Sequence, residues 1–160
     1  MHLRIREAVA DDADLLARWA VAMALETENK QLDPATVSAG VAAGIADPAK
    51  ARYFVAVDEA LFAGRETLAH AVGTLMLTRE WSDWRNGDWW WIQSVYVPVE
   101  HRRGGVFSAL YRDIEQRARA TPGVIGLRLY VEHDNASAQQ TYAALGMKDA
   151  GYRILEAAFC

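Results

Sequence analysis

The amino-acid sequence predicts a mixed fold of the α+β or α/β class, with a mostly antiparallel central sheet flanked by about four helices in the order β-α-α-β-β-β-α-β-α-β. Two observations carry this expectation. Apolar residues switch several times between the period of two that marks a half-buried strand and the spacing of three and four that marks one helix face. The chain also has 160 residues, 52% of them hydrophobic, and at about 150 residues per domain that is enough for one core and not two. No repeat, low-complexity run or linker interrupts it, so a single domain over residues 1–160 is expected.

The first strand is read from Leu3 to Val9, where Leu3, Ile5 and Val9 alternate with Arg4, Arg6 and Glu7. Asp11 with Asp14 three residues on resembles a helix N-cap, and Leu15, Leu16, Trp19, Met23 and Leu25 recur at helical spacing, giving a helix from about residue 12 to 27. Asp33-Pro34 places a capping carboxylate before a proline that suits the first helical position, so a second helix should run toward Asp47-Pro48. Tyr53–Val57 and Ala71–Leu77 read as buried strands of an antiparallel hairpin, separated by the charged stretch from Asp58 to Thr67. Trp81–Asp88 reads as a polar loop and Trp89–Val97 as an aromatic, β-branched strand that stops at Pro98. Val106, Phe107, Leu110 and Ile114 then mark the main helix, which Thr121-Pro122-Gly123 ends. Val124–Val131 is a further strand, Asn135–Leu145 a helix closed by Gly146, and Tyr152–Leu155 a last strand.

Seventeen basic and twenty-one acidic residues give a net charge of -4, which argues against general nucleic-acid binding, because such affinity comes from neutralising phosphates. The longest uncharged runs, such as Pro34–Ala46, fall short of the roughly 20 apolar residues a membrane helix needs. The first residues interleave charge with aliphatics instead of forming a signal peptide. A single cysteine, Cys160, excludes an internal disulfide and suits a reducing compartment. The expectation is a cytoplasmic protein with no membrane and no nucleic-acid partner. None of the four histidines shares a metal-ligand spacing with another His or a Cys, so no metal is implied.

The stretch Val95-Tyr96-Val97-Pro98-Val99-Glu100-His101-Arg102-Arg103-Gly104-Gly105-Val106-Phe107 runs from a strand through a basic turn and two glycines into a helix. The first amides of a helix have no internal partner and sit at the positive end of its dipole, and glycines let the backbone approach an anion closely. Arg102-Arg103 is the only pair of adjacent arginines, so an acidic chain places local positive charge there. On this stretch alone a diphosphate site and a solvated turn before a core helix are both open. It is neither a P-loop nor a dinucleotide-binding G-x-G-x-x-G.

A second stretch, Asn135-Ala136-Ser137-Ala138-Gln139-Gln140-Thr141-Tyr142-Ala143-Ala144-Leu145-Gly146-Met147, bears on that choice. Together the two resemble the GNAT superfamily of N-acetyltransferases, which transfer an acyl group from acyl-coenzyme A to an amine. The family's [QR]-x-x-G-x-[GA] motif matches Arg102-Arg103-Gly104-Gly105-Val106-Phe107 except at its last position, and its N-x-x-A-x-x-x-Y-x-x-x-G-[FM] pattern matches Asn135, Ala138, Tyr142, Gly146 and Met147. The resemblance implies a GNAT-like sheet with acetyl-CoA as cosubstrate and an amine as partner. It implies that main-chain groups of Val95, Tyr96 and Val97 bind the pantetheine arm like an added strand. Arg102 and the amides of Arg103, Gly104, Gly105, Val106 and Phe107 would hold the pyrophosphate, Asn135 would lie near the thiol, and Tyr142 would protonate the departing thiolate. A homodimer paired through the last strands is common in this fold, and no residue here requires it.

Two positions depart from the family pattern. Phe107 stands where glycine or alanine is usual, and is expected to pack into the core beside Val106 and Leu110. Gln93 stands where many members carry a glutamate base, and glutamine cannot accept a proton at working pH. Glu26 and Glu28, at the end of the first helix, are the substitutes, with solvated helix-end carboxylates as the other reading. Gln93 and Phe107 also keep open a non-catalytic acyl-CoA-binding or regulatory module. Trp81, Trp84, Trp89, Trp90 and Trp91 crowd into eleven positions. Strand alternation sets Trp89, Trp91, Gln93 and Val95 on one face and Trp90, Ile92, Ser94 and Tyr96 on the other. Trp91, with Trp84, is expected to wall a pocket for an apolar or cationic amine beside Gln93.

Overall fold

A computed structural model describes residues 1–61 and 70–159. It falls into two compact units, Met1–Leu129 and the part from Tyr130 onward. The first holds a five-stranded sheet in the order β1 (Leu3–Glu7), β2 (Arg52–Asp58), β3 (Ala71–Ser82), β4 (Gly87–Tyr96) and β5 (Val124–Arg128). The first three pairings are antiparallel and β4 pairs β5 in parallel, which is the mixed, mostly antiparallel sheet the sequence implies. Helices α1 (Ala13–Glu28), α2 (Pro34–Ala46) and α3 (Val106–Ala120) complete this unit.

The two sheet faces are covered by different helices. Val55, Val57 and Ala71 pack with Leu16 and Ala17 of α1 and Val41 of α2 in one buried cluster. The glycines of α2 are part of this fit: a Cβ on the buried Gly44 would lie 2.9 Å from the Tyr53 ring, so glycine lets the helix close on β2. The other face meets α3, whose Val106, Leu110, Ile114 and Ala118 are buried at spacings of four. Its first residue, Val106, presses against Gly73 of β3, where an added Cβ would sit 2.7 Å from Val106 Cγ1 and 3.2 Å from the Tyr96 carbonyl.

Several boundaries differ from the sequence expectation. The Asp11/Asp14 cap does not form. A 3-10 turn over Ala10–Asp12 leads into α1 instead, and Asp12, fully buried, accepts two bonds from the Arg6 guanidinium at 2.7 and 2.9 Å and one from the Val9 amide at 2.8 Å. Leu25 is half exposed, since α1 turns Leu16, Ala17 and Ala24 inward and its larger side chain outward. The expected loop at Trp81–Asp88 narrows to a four-residue turn over 83–86: pairing continues through Trp81↔Asp88 and Ser82↔Gly87, because cross-strand hydrogen bonds outweigh the polar composition. Asp33 does cap α2, accepting from the Thr36 amide at 3.0 Å. Part of the expected connector from Asp58 to Thr67, and Cys160, lie outside the described residues.

The second unit contains α4 (Ala136–Ala144), capped by the Asn135 side chain, which accepts from the Ala138 amide at 3.1 Å. Gly146 ends it with φ +86°, the left-handed geometry expected of it. The expected strand at Tyr152–Leu155 is not formed, and Tyr152, Ile154 and Leu155 are exposed. A strand needs a neighbour for its main-chain groups, and among the described residues this unit contains no other strand.

Candidate active site

Strand β4 organises the candidate site. Its parallel register with β5 ends at Trp91↔Arg128, so Ile92–Tyr96 lie beyond it. Its register with β3 shifts between Leu77↔Ile92 and Met76↔Ser94, leaving Gln93 as the extra residue of a bulge. The bulge changes which side chains share a face. Ile92 and Val95 oppose Leu77 and Leu75, whereas Ser94 and Tyr96 oppose Met76 and Thr74. The continuous alternation expected from the sequence therefore breaks at Gln93, and Ser94 and Tyr96 turn away from the Ile92 face. Gln93 Nε2 donates to Thr78 Oγ1 at 2.7 Å.

After β4 the chain passes through Val97-Pro98 and a 3-10 turn at Val99–His101 to the basic glycine loop. Arg103 has φ +64° and Gly105 has φ +80°, so one non-glycine residue is held in a conformation that L side chains rarely adopt. Gly105 is the N-cap of α3 and supplies no side chain to its first amides. A fifteen-residue helix thus presents its positive end to an exposed turn. Arg102 reaches the other way: Nε donates to the Val97 carbonyl at 2.8 Å and a terminal nitrogen to Glu26 at 2.5 Å, while Glu26 also accepts from the Tyr96 hydroxyl at 2.8 Å. This strut ties the glycine loop, β4 and the end of α1 together. The Arg102 guanidinium, then the Tyr96 hydroxyl, hold the Glu26 carboxyl below its usual pKa. Burial, reinforced by Glu26, pushes the Tyr96 phenol up. Phe107 is half-buried and stacks on Tyr111 at 6.4 Å, at the border of the core face formed by Val106 and Leu110.

Beside Gln93 a cavity of about 380 Å³ opens between α1, the segment leading to α2, and the sheet. Leu16, Ala20, Met23, Ala24 and Thr27 line it from one face of α1, Tyr53, Thr74 and Met76 form its floor, and Gln93, Ser94 and Tyr96 bring β4 to it. Glu28 and Lys30 stand on its wall, paired at 2.5 Å. Their pairing follows from how α1 ends. Asn29 adopts φ +51°, and the Lys30 amide turns back to the Ala24 carbonyl at 3.1 Å, a left-handed cap that sets the residues on either side of Asn29 next to each other.

The structure brings Glu28 and Gln93 to one cavity and places Glu26 outside its lining. Trp84 and Trp91 do not line it. Trp84 sits in the β3–β4 turn, 85% exposed, and Gly87, at the end of that turn, is six positions before Gln93 along β4, about 20 Å at the usual rise. The Trp91 indole donates to Glu80, which also holds Arg128 at 2.9 Å. Lys30, Tyr53, Thr74, Met76 and Ser94 were not singled out in the sequence. The spacing of Leu16, Ala20, Met23 and Thr27 is a signal that could have shown one lined helix face. In the second unit, Tyr142 is half-buried on α4, and Asn135 acts as the cap of that helix. Among the described residues no group of three or more His, Cys, Asp or Glu could hold a metal, and no helix is long and apolar enough to cross a membrane.

Residues 16–147 match the acetyltransferase (GNAT) family. The fold is similar to the crystal structure of a possible acetyltransferase from Clostridium difficile 630, at 38% identity and a TM-score of 0.87, covering 100% of this chain and 99% of that one. It is also similar to a transcriptional regulator from Bacillus halodurans C-125 (20% identity, TM-score 0.78, 99% and 100% covered). A third similar structure is an aminoglycoside acetyltransferase from an uncultured soil metagenomic sample, solved with sisomicin (15% identity, TM-score 0.68, 99% and 95% covered). Comparison with curated protein sequences gave no match.

Proposed function

The chain belongs to the acetyltransferase (GNAT) family, and on that premise we propose that it moves an acetyl group from acetyl-CoA to a primary amine by direct attack, in the cytoplasm. The observation that carries this reading is that one strand, β4, both leads into the glycine loop and lines the cavity. The edge of β4 beyond Trp91 leads into the glycine loop, and the bulge on the same strand turns Gln93, Ser94 and Tyr96 to the cavity. A donor laid along Val95, Tyr96 and Val97 with its pyrophosphate on the amides from Arg103 to Phe107 would bring its thioester beside an amine in that cavity. Holding the two reactants in this way removes much of the entropic barrier of a bimolecular transfer.

In this mechanism Glu28 takes a proton from the ammonium group, a necessary step because an amine with a pKa near 10.4 is mostly protonated at neutral pH. The nitrogen lone pair attacks the thioester carbonyl, forming the C–N bond, and the C–S bond breaks. Tyr142 gives its proton to the departing sulfur and recovers one from the new amide nitrogen, so the net products are the amide, the free thiol and the proton left on Glu28. Asn135 serves near the thiol. Gln93, fixed by Thr78, orients the amine and carries no proton. Glu26 is a positioning residue here, since its carboxylate is engaged by Arg102 and Tyr96.

The test is calorimetric titration with acetyl-CoA and with ATP, followed by thiol release with a panel of amines. Binding of acetyl-CoA alone and amine-dependent thiol release are expected. Tight acetyl-CoA binding with no turnover across the panel would favour instead a non-catalytic acyl-CoA-binding or regulatory module, the reading that a glutamine at position 93 supports.

A further inference from the structure

We infer that the acceptor is a free α-amino acid with an apolar side chain, held by its carboxylate on Lys30 and by its amino group on Glu28; this rests on the reading of the cavity as the acceptor site. Three observations lead to it. The first is balance of charge. The cavity carries one carboxylate and one ammonium already paired at 2.5 Å, so it offers no surplus negative charge to a polycation. The pair stands at the solvent-exposed rim of the cavity, so further ammonium groups would find one carboxylate, already shared with Lys30, and no other anion in the lining.

The second is composition. Leu16, Met23, Tyr53 and Met76 give the interior an apolar body with two thioethers that adapt to different shapes. A polyhydroxylated acceptor would trade hydrogen bonds to water for few in return, because the Thr27, Thr74 and Tyr96 hydroxyls that line the cavity already donate to Met23, Phe54 and Glu26. The third is spacing. The left-handed turn at Asn29 fixes Glu28 and Lys30 in contact, and opposite charges that close are matched by an ammonium and a carboxylate on a single carbon, not by groups at the two ends of a long chain. The amino acid exchanges one internal ion pair for two complementary ones, and its side chain enters the apolar interior. Glu28 then takes the proton of the same ammonium group it binds, and the amine attacks the thioester as described above.

The experiment compares leucine, methionine and phenylalanine with leucinamide, phenethylamine, spermidine and sisomicin, using thiol release from acetyl-CoA and calorimetric binding to protein saturated with coenzyme A. The apolar amino acids should show the highest kcat/KM and the tightest binding. Lys30→Gln should raise KM for phenylalanine by about 10–100-fold, the range for losing one charge-assisted hydrogen bond, and should not raise KM for phenethylamine, which has no carboxylate for Lys30 to hold. Equal or better kcat/KM for phenethylamine, leucinamide or spermidine overturns the inference, as does a Lys30→Gln effect equal for acids and amines. Absence of thiol release with every amine contradicts the transferase reading, and the binding arm still decides the ligand class. Selective binding of the amino acids supports it, and preferential binding of any carboxylate-free amine removes it.

Discussion

Replacing Gly73 with alanine tests whether the seat of α3 sets the donor site. The new Cβ would lie 2.7 Å from Val106 Cγ1, 3.2 Å from the Tyr96 carbonyl oxygen and 3.4 Å from Val97 Cγ2. Carbon atoms pack best at about 3.5–4.0 Å, so Val106 must retreat by about 1 Å. Val106 is 1% exposed and β-branched, and it has no rotamer freedom with which to absorb that shift alone. Overpacking of this kind costs about 1–3 kcal/mol. For a chain of this size each kcal/mol lowers Tm by about 2–4 °C, so Gly73→Ala should melt about 2–12 °C below the parent. Because Val106 opens α3, the same displacement moves the amides proposed to hold the pyrophosphate, and affinity for acetyl-CoA should fall. Gly40→Ala is the control. It lies in α2 with nothing within 4 Å of the added methyl, so removing its backbone freedom should stabilise by about 0.5–1 kcal/mol with donor affinity unchanged. Differential scanning calorimetry and isothermal titration read both. A Gly73→Ala protein that melts with the parent and binds acetyl-CoA equally well would refute the reasoning.

Other outcomes follow from the same geometry. Asp12→Ala leaves the partly buried Arg6 guanidinium and the Val9 amide without their carboxylate and should cost about 3 kcal/mol, the low end for breaking a buried pair, by chemical denaturation; a loss below about 1 kcal/mol would show that the pair contributes little. Burial works against ionisation of Asp12, but the Arg6 and Val9 hydrogen bonds prevail and its pKa is lowered. Its contribution is therefore present above the unfolded carboxylate value near 3.9 and is lost as pH falls through the lower folded one, so parent and Asp12→Asn stabilities should converge in acid below about pH 4. Glu26→Gln should raise KM for acetyl-CoA several-fold with kcat unchanged, since it loosens Arg102 in the glycine loop; a fall in kcat at constant KM would make Glu26 the base. Tyr142→Phe should lower kcat by about 10²–10⁴-fold with donor affinity retained, and an unaltered rate would remove Tyr142 from the mechanism.

What the sequence made legible was local. Val106, Leu110 and Ile114 mark one face of α3 by spacing alone, Asp33-Pro34 marks the start of α2, and Gly146 the end of α4. What it left hidden depended on partners distant in the chain. The bulge at Gln93 arises from the register of β4 on β3, so alternation counted along one strand could not show that Ser94 and Tyr96 change face. Trp84 and Trp91 read as pocket walls because five tryptophans fall close together in the chain, yet the hairpin carries Trp84 to an exposed turn and Glu80 engages Trp91. Glu26 and Glu28 were equivalent as letters. The helical phase separates them: two residues apart on α1 they lie about 200° apart around the axis, so Glu28 reaches the cavity while Arg102 holds Glu26.

The most direct test of the central claim is to incubate the protein with acetyl-CoA and phenylalanine, and to measure free thiol and N-acetylphenylalanine together. Thiol and amide formed one for one, both lost in Glu28→Gln and Tyr142→Phe, is the predicted result. Acetyl-CoA that binds while thiol release stays independent of any added amine would contradict it.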